Sequence, residues 1–166
     1  MKTKIIVLSL AVLVIGLFLW GKWGSTDPAD SAALATGITS VAVTDPIPPY
    51  DFGSVSMLKG NVEHEFEIVN TTDADLVVAK AETSCMCTRM VLRLPDGTEV
   101  GPFGMAGHGF TPSVNATIRP GEKIVVRAIF DPAAHGPAGI GMIERVVTLD
   151  TNKGQIAMQF RAQVTP

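Results

Sequence analysis

The sequence predicts an all-β domain, an antiparallel sandwich of about seven strands, preceded by one N-terminal transmembrane or signal helix. The first observation is the alternation of Val62, His64, Phe66 and Ile68 with three glutamates, which is typical of a half-buried strand. The second is a series of turn clusters, such as Asn70-Thr71-Thr72-Asp73 and Arg119-Pro120-Gly121-Glu122, between short apolar segments. The third is that no amphipathic helical period occurs after residue 50.

These patterns give the strands in order. The predicted strands are residues 52–57, 62–68, 74–81, 87–94, 123–130, 143–149 and 155–164. Glycines and prolines interrupt residues 95–116, which we predict to be an irregular insertion. The glutamates of 62–68 predict a solvated outer face that opposes edge-to-edge pairing.

The N-terminal block combines a basic start with a long apolar run. Lys2 and Lys4 precede an uncharged segment from Ile5 to Trp20. Such a block is either a cleaved signal peptide or an uncleaved anchor. Its 16-residue length, and the distance to the nearest small-x-small site at 33–35, favour an anchor. The lysines predict a cytoplasmic N-terminus, a single membrane pass through residues 5–23, and a C-terminal domain outside the cytoplasm.

Composition divides the chain into three parts. Residues 1–23 are predicted to be a signal anchor or signal peptide, and residues 24–46 a flexible tether rich in Ala, Ser, Thr and Asp. Residues 47–166 are predicted to be the sandwich domain. Three of the 13 basic residues belong to the N-terminal block, which leaves 10 against 16 acidic residues elsewhere. A domain of that charge is a poor partner for nucleic acid, which needs clustered Lys and Arg.

Catalytic signatures are missing from the sequence. It contains no Gly-x-Ser-x-Gly, no phosphate-binding glycine loop and no His-Glu-x-x-His. The sequence therefore predicts a non-enzymatic binding or assembly module for an unknown protein partner. A thiol–disulfide redox protein stays open as an alternative, with Arg89 and His64 as candidate neighbours that could lower a thiol pKa.

Both cysteines lie one residue apart, at Cys85 and Cys87, after an apolar run. Such a pair can bind a metal, close a small disulfide or pack in the core. The alternating strand directions predict that several soft ligands share one end of the sandwich. The predicted metal ligands are Cys85, Cys87, His135 and Met142, and Cu(I) is the predicted ion, because thiolate and thioether ligands select it. His64 is predicted to be a buried histidine rather than a ligand.

Several blocks together resemble a bacterial family of unknown function that carries a Ser-Cys-Gly-Cys-Thr loop. They are Tyr50–Val55, Val62–Phe66, Ser84-Cys85-Met86-Cys87-Thr88, Arg119–Glu122 and Phe130–Pro132. The resemblance implies an immunoglobulin-like sandwich similar to Hydin-type and PapD-type domains, and it implies no activity. The chain departs from the pattern at Met86, which stands where the family has glycine.

Overall fold

The computed structural model describes residues 38–42, 46–108 and 113–166. In these residues, ten strands form two five-stranded sheets. The strands are β1 (Ile38–Ala42), β2 (Tyr50–Ser56), β3 (Val62–Val69), β4 (Leu76–Thr83), β5 (Thr88–Arg93), β6 (Glu99–Phe103), β7 (Ala116–Ile118), β8 (Lys123–Phe130), β9 (Gly141–Thr151) and β10 (Gly154–Thr165). The predicted N-terminal helix at 5–23 lies outside the described residues. No helix within them is long and apolar enough to cross a membrane.

The two sheets have the orders β1-β3-β8-β5-β6 and β2-β10-β9-β4-β7. Two neighbouring pairs, β1 with β3 and β2 with β10, are parallel, and the other neighbours are antiparallel. The described helical turns are short 3-10 turns at Met57–Lys59 and Gly136–Gly139. The predicted all-β sandwich is confirmed.

Alternating side chains of both sheets form one apolar core. Along β10, every second residue from Ile156 to Val164 is buried, and the intervening residues face solvent. The predicted alternation along β3 is also observed, with Phe66 and Ile68 fully buried. This regular period of two fixes which face of each strand is buried, because a one-residue slip would expose the whole apolar set.

Ion pairs link the outer face of β3 to other strands of the same sheet. Glu65 pairs with Arg93 of β5, and Glu67 accepts from Lys123 Nζ of β8 at 2.7 Å. Exposed pairs of this kind each contribute at most about 1 kcal/mol. The predicted solvated face is therefore also a cross-strand charge ladder.

Two regions are more regular than the sequence suggests. Strand β1 lies within the predicted tether, where Ile38-Thr39-Ser40-Val41 is rich in the β-branched residues that strands favour. It adds to the edge of β3 in parallel. Strand β6 lies within the predicted insertion and pairs with β5. The remainder of the tether, residues 24–37 and 43–45, lies outside the described residues.

His64 is buried among aromatic rings, as predicted. Its side chain is 2% exposed and stacks on Tyr50 with 3.5 Å between ring centroids, while Phe66 packs edge-on at 4.6 Å. Burial lowers the pKa of His64 to about 4 from an ordinary value of 6.5. The native protein therefore keeps this imidazole neutral at pH values where an unfolded chain would protonate it.

We expect acidification to destabilise the fold through His64. Below pH 6.5 the unfolded chain binds a proton at His64, which the native protein binds only near pH 4. The contribution of neutral His64 to the free energy of unfolding is therefore complete above pH 6.5 and is lost as the pH falls towards 4. Urea unfolding at pH 7 and pH 5 should show a loss of about 2 kcal/mol. The control His64→Phe should remove most of this difference; an equal pH dependence in both proteins would contradict the assignment.

Candidate metal centre

The loop of residues 84–87 links the two sheets and is held by both. Ser84 donates its N–H to Val146 O at 2.9 Å, and Ser84 Oγ accepts from Val146 N–H at 2.9 Å. On the other side, Asp131 N–H donates to Cys87 O at 2.9 Å. The Thr88 N–H closes the turn by donating to Cys85 O at 3.0 Å. The backbone that carries both cysteines is therefore fixed at four points.

Three soft ligand atoms converge at this loop. Cys85 Sγ lies 2.6 Å from Cys87 Sγ and 3.2 Å from His135 Nε2. All three ligand atoms lie within 4.8 Å of one another, and both cysteines are free thiols. Within the described ranges, this is the one group of three or more His, Cys, Asp or Glu side chains close enough to share an ion.

His135 reaches the cysteines from the loop that follows β8. Asp131 Oδ1 accepts from Ala133 N–H at 2.9 Å, and Gly136 N–H donates to Ala133 O at 2.9 Å, so the loop is a compact turn. A Cβ atom at Gly139 would lie 3.2 Å from His135 Cβ, which is tighter than ordinary contact. The glycine therefore leaves room for the histidine beside the cysteine loop.

Arg145 completes the site and was not predicted from the sequence. Its Nε donates to Cys87 Sγ at 3.2 Å, and its Nη1 donates to Glu144 O at 2.7 Å. The signal was present in β9, where Arg145 shares the inward face with Ile143 and Val147, both of which are buried. A cation in an inward position requires hydrogen-bond acceptors, which Cys87 Sγ and Glu144 O provide.

The two thiols have opposite pKa shifts. Burial raises the pKa of Cys85, but hydrogen bonds from the Cys87 thiol and backbone N–H, the contact with His135 and the charge of Arg145 outweigh it and lower the pKa to about 7. Burial raises the pKa of Cys87, with the hydrogen bond to Cys85 adding to the effect and Arg145 opposing it. Cys85 is therefore the thiol that ionises first.

We expect alkylating reagents to distinguish the two cysteines. Because the thiolate is the reactive form, iodoacetamide should modify Cys85 with a rate that rises through about pH 7. Cys87 is 2% exposed and should react far more slowly. Peptide mass mapping over a pH series measures both rates. Arg145→Gln should shift the Cys85 profile to higher pH, and equal rates at the two cysteines would contradict the assignment.

A cleft of about 610 Å³ opens beside Cys85. Its wall includes Cys85, His135 and Arg145 from the site, and its apolar lining residues include Pro49 and Phe160. Cys87 is not part of the lining. Solvent and ligands therefore approach the cluster from the side of Cys85.

The arrangement fits an ion bound by three ligands. Ligands at roughly 2.3 Å from a metal stand about 3.8 Å apart, so the present separations of up to 4.8 Å need only small adjustments and the two sulfurs must move apart by about 1 Å. A closed structural zinc site normally has four protein ligands. Two thiolates, one monovalent cation and the guanidinium of Arg145 sum to zero charge, whereas Zn²⁺ would leave an excess positive charge beside Arg145.

The structure brings together three of the four predicted ligands. Met142 is 66% exposed at the start of β9, where the alternation of that strand places it on the face opposite Arg145. Its role as a ligand stays a prediction. His64 packs into the aromatic core, as predicted for a buried histidine.

Comparisons with known proteins match part of the chain. A family model described as "Protein of unknown function (DUF1573)" matches residues 48–94, which include Cys85 and Cys87. The matched segment ends at β5, so the blocks after residue 94 lie beyond it. No curated protein sequence matches the chain.

Two solved structures are similar in their chain path. The first is a crystal structure of a protein of unknown function from Porphyromonas gingivalis W83, with a TM-score of 0.49, 16% identity, and coverage of 81% of this chain and 51% of that chain. The second is the periplasmic chaperone SfaE, with a TM-score of 0.33, 13% identity, and coverage of 78% and 57%. This chain therefore spans about half the length of each of these proteins.

Proposed function

We propose that this protein is a non-catalytic binding module that takes up one Cu(I) ion at Cys85, Cys87 and His135. The observation that carries the proposal is the convergence of two thiols and one imidazole within 4.8 Å, on loops held by the two sheets. Because the frame is rigid, the reorganisation that binding needs is confined to the ligand side chains, chiefly a separation of the two sulfurs by about 1 Å.

Cu(I) is the ion that this ligand set favours. Thiolates are soft ligands that select Cu(I), and imidazole also suits copper. The site offers three ligands. The two thiolates carry two negative charges, which Cu(I) and the guanidinium of Arg145 neutralise together. In this role Arg145 binds no metal; it holds Cys87 Sγ in place by donating from Nε at 3.2 Å.

The proposed location is outside the cytoplasm. The basic start and apolar run of residues 1–23 support a single-pass anchor that leaves residues 47–166 on the far side of the membrane. The net charge and the sandwich fold support a protein partner rather than nucleic acid. Met86 and Met142 are both exposed at the cysteine end of the sandwich, which gives a partner carrying Cu(I) a soft surface to approach.

A competition titration tests the proposal. The full chain is reduced, and Cu(I) is added without oxygen in the presence of a coloured Cu(I) chelator while free thiols are counted. We expect one tightly bound ion per chain that protects both thiols. Failure to compete with the chelator, or thiols that stay reactive after loading, would overturn the proposal.

A further inference from the structure

The two sulfurs lie closer together than a bound ion requires. They are 2.6 Å apart, whereas two ligands of one ion stand about 3.8 Å apart. A disulfide requires about 2.05 Å, and both cysteines are free. The loop therefore holds the thiols between the geometry of a metal site and that of a disulfide, so the pair can serve both states with small movements.

We propose that Cys85 and Cys87 also undergo thiol–disulfide exchange with a disulfide-bearing molecule that enters the cleft, and that Cu(I) binds only to the dithiol form. The exchange requires only the two cysteines, whereas the claim that Cu(I) binds only to the dithiol form rests on the proposed function. The substrate class is a disulfide of a peptide or a small thiol compound.

The exposure of the two thiols sets their order of reaction. Cys85 lines the cleft, and Cys87 is 2% exposed behind it. An incoming disulfide can therefore reach Cys85 and cannot reach Cys87. Arg145 Nε holds Cys87 Sγ at 3.2 Å, and Cys87 Sγ in turn lies 2.6 Å from Cys85 Sγ. Cys85 is thus placed as the attacking thiol and Cys87 as the resolving thiol.

The reaction balances in two steps. The Cys85 thiolate attacks one sulfur of the substrate disulfide and forms a mixed disulfide with it. The other half of the substrate leaves as a thiolate and takes up the proton that Cys85 lost on ionising. Cys87 then attacks Cys85 Sγ, forms the Cys85–Cys87 disulfide and releases the second half as a thiol. The protein dithiol is oxidised by two electrons, and the substrate disulfide is reduced to two thiols.

Glutathione mixtures test the exchange on the metal-free full chain. After equilibration with oxidised and reduced glutathione, acid quenching and mass spectrometry should show a monomer that has lost two thiols and carries no glutathione. Excess reduced glutathione should reverse this change. A wild-type product that keeps an attached glutathione, or that links two chains, would overturn the proposal.

Single variants test the assigned order. Cys87→Ser should stop at one glutathione attached to Cys85, because no resolving thiol remains. Cys85→Ser should gain glutathione far more slowly, because Cys87 is buried. Equal rates of adduct formation in the two variants would contradict the order.

Loading both redox forms with Cu(I) separates the exchange from the proposed function. We expect the reduced protein to bind one ion and the disulfide form to bind none. A disulfide without any copper binding by the dithiol would uphold the exchange and overturn the proposed function. Copper binding by a protein that forms no disulfide in any glutathione mixture would overturn the exchange and leave the proposed function standing.

Discussion

Replacing Cys85 and Cys87 together by serine abolishes stoichiometric Cu(I) binding in our account. The change removes both soft ligands, and His135 alone cannot retain the ion against a competing chelator. The chelator titration measures the result directly. His135→Ala should weaken binding while leaving both thiols protected by any ion that still binds.

Matched controls distinguish ligand loss from a change of fold. Met142→Leu removes an exposed thioether at the same end of the sandwich, on the opposite face of β9 from Arg145. With three ligands the Cu(I) affinity should stay within a few-fold of the native value, and a larger loss would show that Met142 is the fourth ligand. The double serine variant should also keep partner binding. A double variant that still takes up one ion per chain would show that the copper site lies elsewhere.

The second large effect is on stability, at Phe160 of β10. Its ring is 1% exposed and packs against Phe52 and Phe130, with centroid distances of 5.4 and 5.7 Å. Phe160→Ala removes these contacts and leaves a cavity, so we expect a loss of about 3–5 kcal/mol in the free energy of unfolding. Urea denaturation measures this loss. Such a loss is a large part of the total stability of an ordinary domain.

Two controls make the stability prediction specific. Phe160→Leu keeps most of the volume and should cost distinctly less. Leu58→Ala alters a side chain that is 90% exposed, and it should change the stability by no more than about 0.5 kcal/mol. A Phe160→Ala loss as small as that of Leu58→Ala would mean that the ring does not support the core. Because Phe160 also lines the cleft, Cu(I) loading of Phe160→Ala reports whether the core supports the site.

The sequence predicted that Cys85, Cys87 and His135 cluster at one end of the sandwich, although it undercounted the strands. The prediction used alternating strand directions to bring Cys85, Cys87 and His135 to one end. Strands β6 and β7 were missed, but both fall between β5 and β8, so two reversals of direction cancel and β8 still ends at the cysteines. Missing these two strands therefore did not change the end of the sandwich at which His135 was predicted to lie.

The missed elements share a physical cause. Strand β7 has three residues, and β1 is a short edge strand. Each is too short to show a regular alternation of apolar and polar residues, and it is pairing with a strand distant in sequence that makes each a strand. Arg145 was missed because its role depends on Cys87, 58 residues earlier in the chain. In contrast, β8 was predicted at Lys123–Phe130 with its observed bounds, because its apolar alternation is regular over eight residues.

X-ray absorption spectroscopy of the Cu(I)-loaded protein tests the central claim most directly. We expect a three-coordinate Cu(I) ion with two sulfur neighbours and one imidazole nitrogen, and we expect the nitrogen contribution to disappear in His135→Ala. A spectrum without sulfur neighbours, or one that shows copper bridging between thiolates of two chains, would contradict a site formed by Cys85, Cys87 and His135 of one chain.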